Sequence, residues 1–232
     1  MKIILWDIDG TLVDTQGAGG AAMAAAMVSL YGEPPRLMEV PCAGRTDRSI
    51  TRDFFALHNV EDSPERCGHY YDVFVEMLSH YLPQRAGQVL PGVVRILEKL
   101  VRDERIQMGL LTGNLRRAAR IKLSHYGLDH FFYGAGEAFG GFGDEHADRD
   151  DVARDALASA ADYVGRAVDP QQVWVVGDTP NDVRCARAIG ANVCAVATGH
   201  YSTNELAESG PDLVVQTMEE AGAWLAEIGA DD

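Results

Sequence analysis

Apolar runs of four to six residues and longer stripes of helical period follow one another along this chain, and their order carries the first information about its fold. The chain opens on KIILW, an apolar run that stops at Asp7, Asp9, Gly10 and Thr11. Strand side chains alternate faces, so Asp7 and Asp9 leave the strand end on the same side while Ile8 points into the core. An alanine-rich helical stretch follows over 18–31, closed by Gly32 and the Pro34-Pro35 pair. Two further helical patterns cover about 47–58 and 64–82, the second opened by Ser63 as N-cap with Pro64 at the first helical position. No strand signal occurs between 15 and 88. This block reads as an all-helical insertion, with hinges near 15–20 and 83–90.

From Pro91 onward strand and helix alternate. Val93, Ile96, Leu97, Leu100 and Val101 form a helical stripe, 106–111 a strand, and 115–126 a helix stopped by Gly127. A loop and a helix over about 148–164 come next. A buried strand at 173–176, a helix over 181–189 stopped by Gly190, strands at 192–197 and 212–215, and a last helix over 218–228 complete the chain. Such alternation predicts an α/β fold, a doubly wound parallel sheet with helices on both faces. The first strand joins that sheet across the insertion, so one domain comprises 1–14 and 89–232 and the helical block 15–88 a second. The glycine-rich stretch 134–143 reads either as a mobile loop or as the wall of a pocket.

At 232 residues the chain can bury a sizeable core, and 47% hydrophobic with 24% charged residues excludes global disorder. The formal net charge of -15, from 35 acidic against 20 basic residues, repels nucleic acid and anionic lipid, so neither is expected as a partner. An anionic substrate then needs local help from a metal or from placed arginines. Cys42, Cys67, Cys185 and Cys194 show no CxxC spacing and read as reduced, structural thiols. The apolar stretch 21–28 is too short to span a membrane and the first strand has no basic flank, so a cytoplasmic location is expected.

In open parallel sheets, ligands bind outside the carboxyl ends of the strands. Three predicted strands end there in polar signatures: Asp7 and Asp9; Thr112-Gly113-Asn114; and Gly177-Asp178-Thr179-Pro180-Asn181-Asp182. Alone, the first pair reads equally as a strand that stops at a polar turn, with Gly10 in the turn and Asp7 capping it, or as a site. With Asp178, Asp182 and Thr112 converging on it, four carboxylates and a threonine share one place.

These motifs resemble those of the haloacid dehalogenase superfamily of hydrolases: DxDGT at Asp7 to Thr11, a strand ending in threonine at Thr112, and GDxxxD at Gly177 to Asp182. The helical block resembles the family's small cap domain inserted after the first strand. Gly44-Arg45-Thr46-Asp47 and the LLTGN sequence resemble phosphoglycolate-phosphatase-like members. The third motif departs, because relatives commonly carry a Lys-Pro pair before the fourth motif and no lysine follows Lys122 here. Arg149 is the first choice for that cation and His146 the second.

The resemblance implies a magnesium-dependent phosphatase of a small phosphorylated metabolite. Hard oxygen ligands from Asp7, Asp178 and the backbone carbonyl of Asp9 favour Mg2+, with Asp182 orienting the metal shell. Asp7 is expected to attack phosphorus, and Asp9 to protonate the leaving oxygen and then activate water. Thr112 and Arg149 would hold the phosphoryl group, with Gly10, Gly113 and Asn114 as substrate-binding positions. Arg45 reads either as a cap residue reaching the substrate's anionic end or as a solvated arginine at a helix start. A phosphomutase is the alternative within the superfamily; a dehalogenase has no need of the acid at Asp9, and a phospho-acceptor switch has no need of Asp9 or the cap.

Overall fold

The computed structural model describes residues 1–32, 40–134 and 136–229; the expected Pro34-Pro35 stop lies outside them. Strand β1 (Lys2–Trp6) runs into a short strand β2 (Val13–Asp14). The helices α1 (Ala18–Tyr31), α2 (Asp47–Leu57) and α3 (Pro64–Tyr81) follow, and β3 (Gln88–Val89) brings the chain back. Then come α4 (Val93–Leu100), β4 (Ile106–Leu111), α5 (Arg116–His125), β5 (Gly140–Gly141), α6 (Arg149–Val164) and β6 (Val173–Gly177). The last elements are α7 (Pro180–Ala188), β7 (Asn192–Val196), α8 (Thr203–Glu208), β8 (Leu213–Val215) and α9 (Gly222–Glu227).

Six strands form one parallel sheet in the order β5-β4-β1-β6-β7-β8. Its two central strands, β1 and β6, are apolar beyond Lys2 because helices cover both faces. In β1, Ile4 and Trp6 join one buried cluster with Leu97, Met108, Trp174 and Trp224, while Ile3 and Leu5 join another with Ala153, Val175, Val183 and Val193. The alternation along β1 thus divides the molecule into two helical layers. Trp6 and Trp224 meet edge to face at 5.8 Å, which fixes α9 against β1.

The helical block has its own core, built from Met27, Phe54, Phe55, Tyr70 and Phe74, and it closes over Leu115, at the N-cap of α5, and Ala118 within it. Ser63 caps α3 as expected, accepting from Arg66 N. The block is entered and left through a feature the hydrophobic pattern does not show: β2 and β3 pair antiparallel, Val13 with Val89 and Asp14 with Gln88. Two-residue strands carry no periodicity; β3 falls within the expected hinge at 83–90, and β2 lies just before the one expected at 15–20.

Three further differences have local causes. The stretch 134–143 contains an edge strand, β5, where Gly140 has φ +147 and a Cβ on Gly141 would overlap the Val152 carbonyl of α6. Helix α8, not foreseen, starts on a capping box of Ser202 and Glu205. The final helical stretch is divided into a 3-10 turn at Met218–Glu220 and α9, with Thr217 accepting from Glu219 N. Among the described residues no helix is long and apolar enough to cross a membrane.

Candidate active site

Because β4, β1 and β6 are neighbours, their carboxyl ends deliver Thr112, Asp7 with Asp9, and Asp178 to one place. Asp7 N bonds to Val176 O at 2.9 Å, which ties the turn after β1 to β6. Gly10 lies in the left-handed region at φ +77, and a Cβ there would overlap the Asp178 carboxylate. Any other residue at this position would be strained and would push β6's carboxylate away.

Asp7, Asp178 and Asp182 are buried, and each places a carboxylate oxygen within 4.8 Å of the others. Burial pushes the Asp7 carboxyl up to about 6, against the pull of Arg149, with Asp182 and Asp9 adding to the rise. Burial also raises Asp178 well above the usual carboxylate range, with Asp182 and Asp7 contributing. Three close carboxylates with so little solvent make a pocket that favours a cation.

Arg149, the first residue of α6, answers part of this charge. Its guanidinium lies 2.8 Å from Asp7 Oδ2 and 2.5 Å from Asp182 Oδ1, with 3% of its side chain exposed. Burial opposes its charge, but Asp182 and Asp7 outweigh it and hold the guanidinium firmly protonated. Asp182 also accepts from Thr179 N and Oγ1, at 2.9 and 2.7 Å, closing the capping box of α7. His146 instead lies 2.7 Å from Asp155 at the surface.

The second buried cation is one that sequence reasoning passed over. Lys122 of α5 sets its ammonium 2.8 and 2.6 Å from the two oxygens of Asp9 and 2.5 Å from Asn114 Oδ1. Asn114 Nδ2 in turn donates to Asp9 Oδ2 and to Thr112 Oγ1, both at 2.8 Å. Burial by itself would raise the Asp9 carboxyl; the charge and hydrogen bond of Lys122, with that of Asn114, overcome it and hold Asp9 below its ordinary value. The available signal was register. Lys122 shares the buried face of α5 with Ala118, Ala119 and Leu123, where an unpartnered lysine would be costly.

The helical block is fastened over these groups by the segment 44–48. Asp47 N donates to Gly113 O at 2.7 Å and Arg48 N to Gly143 O at 3.1 Å. Leu115 N donates to Asp47 Oδ2 at 2.7 Å, and Asn181 Nδ2 to Gly44 O at 3.0 Å. Gly113 permits the approach, since a Cβ there would overlap Arg45 O. Burial pushes the Asp47 carboxyl up to about 7, although Lys122 pulls the other way. Between block and core lies a cavity of about 610 Å³ lined by Asp7, Asp9, Asn114, Lys122, Arg149 and Asp178, among others. Gly10, Gly113 and Arg45 line it too, while Thr112 and Asp182 are fully buried behind its wall. Arg45 turns its guanidinium to Pro41 O, Ser49 O and Asp53.

Comparison with known proteins gives this geometry a lineage. A phosphoglycolate phosphatase of Chromobacterium violaceum is 31% identical over 230 residues, covering 95% of this chain and 94% of that protein. Phosphoglycolate phosphatase 1 of Pseudomonas aeruginosa is 27% identical, covering 94% and 77%. Among solved structures, a hydrolase from Pseudomonas syringae superposes with a TM-score of 0.72 at 20% identity, covering 98% and 99% of the two chains, and shares the fold. The family model described as haloacid dehalogenase-like hydrolase matches residues 4–196, and the chain belongs to that family.

Proposed function

We propose how this phosphatase works: it hydrolyses a small phosphomonoester through an aspartyl phosphate on Asp7, with Mg2+ as its metal. The observation that carries the reading is the pairing of two carboxylates with separate cations. Asp7 is gripped by Arg149, and Asp9, two residues on, by Lys122 and Asn114, all at one cavity. The relatives named as phosphoglycolate phosphatases support the same reaction class.

Asp7 and Asp178, with the backbone carbonyl of Asp9, would hold the metal. Buried oxygen donors of this kind fit Mg2+. Asp182 is already engaged by Thr179 and Arg149 and steadies the set. Bound there, the cation supplies the positive charge that lets these carboxylates stay ionised beside a phosphoryl group.

In the first half-reaction an Asp7 oxygen forms a bond to phosphorus as the bond to the ester oxygen breaks. The leaving oxygen takes its proton from the Asp9–Lys122 pair. In the second, water attacks phosphorus, Asp9 accepts its proton, and the bond to Asp7 breaks, restoring the carboxylate. Arg149 and the backbone at Gly113 and Asn114 steady the phosphoryl oxygens, and Thr112 orients Asn114 from behind.

Purified protein should release phosphate from an aryl phosphate with Mg2+ and stop when the metal is chelated. Asp7→Asn should lower the rate by at least about 1,000-fold while circular dichroism stays unchanged. Metal-independent turnover, or a fully active Asp7→Asn, would overturn the assignment.

A further inference from the structure

The walls of the cavity divide sharply by chemistry, and the division bears on which ester the site takes, an inference that rests on the phosphatase activity proposed for this site. The floor carries the ionic groups. Lys122 is shared among three oxygen atoms, and Arg149 is held between Asp7 and Asp182, so both cations serve the phosphoryl end. The helical block, on the side that must receive the rest of the substrate, lines the cavity with Gly20, Met23, Cys42, Ile50 and Phe74 and with the uncharged Thr15 and Gln16, while Gly19 faces the Lys122 ammonium. The charged lining residues of that block are Asp47 and Arg45, whose guanidinium is 2.7 Å from Asp53 and bonded to two backbone carbonyls. His200 stands at the exposed rim and follows Gly199, which packs against Asp178.

A substrate with a second anion would therefore bring it against a largely apolar wall beside the acidic Asp47. Among the described residues, no cation of that wall is left without an acidic partner to receive it. An unpaired charge so placed loses hydration without compensation. We propose that the substrate is a phosphomonoester of an uncharged, partly apolar alcohol, and that the enzyme discriminates against esters bearing a carboxylate on the leaving group. This separates the chain from what the names of its relatives suggest: phosphoglycolate carries such a carboxylate.

A matched pair tests this. 2-Hydroxyethyl phosphate has the size of phosphoglycolate but a hydroxymethyl group in place of the carboxylate. With Mg2+ present, kcat/KM should be at least about 10-fold higher for 2-hydroxyethyl phosphate. Equal values, or a preference for phosphoglycolate, would overturn the proposal. Calorimetric binding of both esters to Asp7→Asn reads the same preference without turnover, so a failure of the catalytic reading is distinguishable from a failure of this one. Cys42→Lys puts a cation on the wall at an exposed position. It should narrow the ratio of the two kcat/KM values at least about threefold, and an unchanged ratio would contradict the wall as its source.

Discussion

Lys122 changes what Asp9 can do. A carboxylate with an ammonium on both oxygens is held ionised and is a weak proton acceptor, so in the proposed mechanism Asp9 carries a proton to the leaving oxygen only together with Lys122. Leaving groups that depart as stable anions need that help least. Lys122→Met should therefore reduce kcat for an alkyl phosphate by about 100-fold, and for a nitrophenyl phosphate by much less. Equal losses on both esters would reduce Lys122 to a structural role. At this scale the sequence was informative wherever chemistry is contiguous, as in Asp7 to Thr11 or Gly177 to Asp182. Lys122 escaped because its partner lies 113 positions away, and only its register on the buried face of α5 gave it away.

The same contrast holds for elements. Parallel strands such as β6 declare themselves by continuous apolar runs, and α3 by Ser63 and Pro64. The ribbon of β2 and β3 and the edge strand β5 are two residues each, stabilised by partners distant in the chain, and such pairing leaves no local pattern. Helix α8 did carry a local signal, the Ser202 and Glu205 capping box, which an apolar-period reading overlooks.

At the junction of α2 and α5, Asp47 accepts the Leu115 N–H in a buried setting, and this gives the junction a pH dependence. Its carboxyl rises from an ordinary value of 3.8 to about 7 in the folded protein. Between those values the folded state binds the proton more tightly than the unfolded state, so stability from this group is present below about pH 4 and is lost as pH rises through about 7. Asn keeps an acceptor for Leu115 without the charge. Asp47→Asn should thus gain stability relative to the parent as pH increases from about 4 to about 8, by on the order of 1 to 3 kcal/mol, in urea midpoints at the two pH values. A difference that does not change with pH would show that Asp47 does not set it.

Across the whole molecule, 35 acidic residues against 20 basic ones give a surface that disfavours anions, and yet the motifs gather carboxylates at a site for a phosphate ester. The fold resolves this by placing each cation where it has one task. Arg149 is fixed to Asp7 by the start of α6, Lys122 to Asp9 by α5, and Arg45 stays with the helical block. What remains is the charge a metal would supply. The fold class and the convergence of three strand ends were legible from alternation and motif order. The fastening of the helical block over the site was not, because it runs through backbone groups at Gly113 and Gly143 that any sequence would offer.

The covalent step on Asp7 is the centre of this scheme, and it can be seen directly. Protein turning over an aryl phosphate with Mg2+ is quenched in acid, digested and mapped by mass spectrometry, alongside Asp9→Asn, which lacks the base for the second half-reaction. The phosphoryl group is predicted on the peptide that contains Asp7, at higher occupancy in Asp9→Asn, and absent when the metal is chelated. Continued hydrolysis with no phosphoryl group on that peptide, or its appearance on another residue, would contradict the scheme.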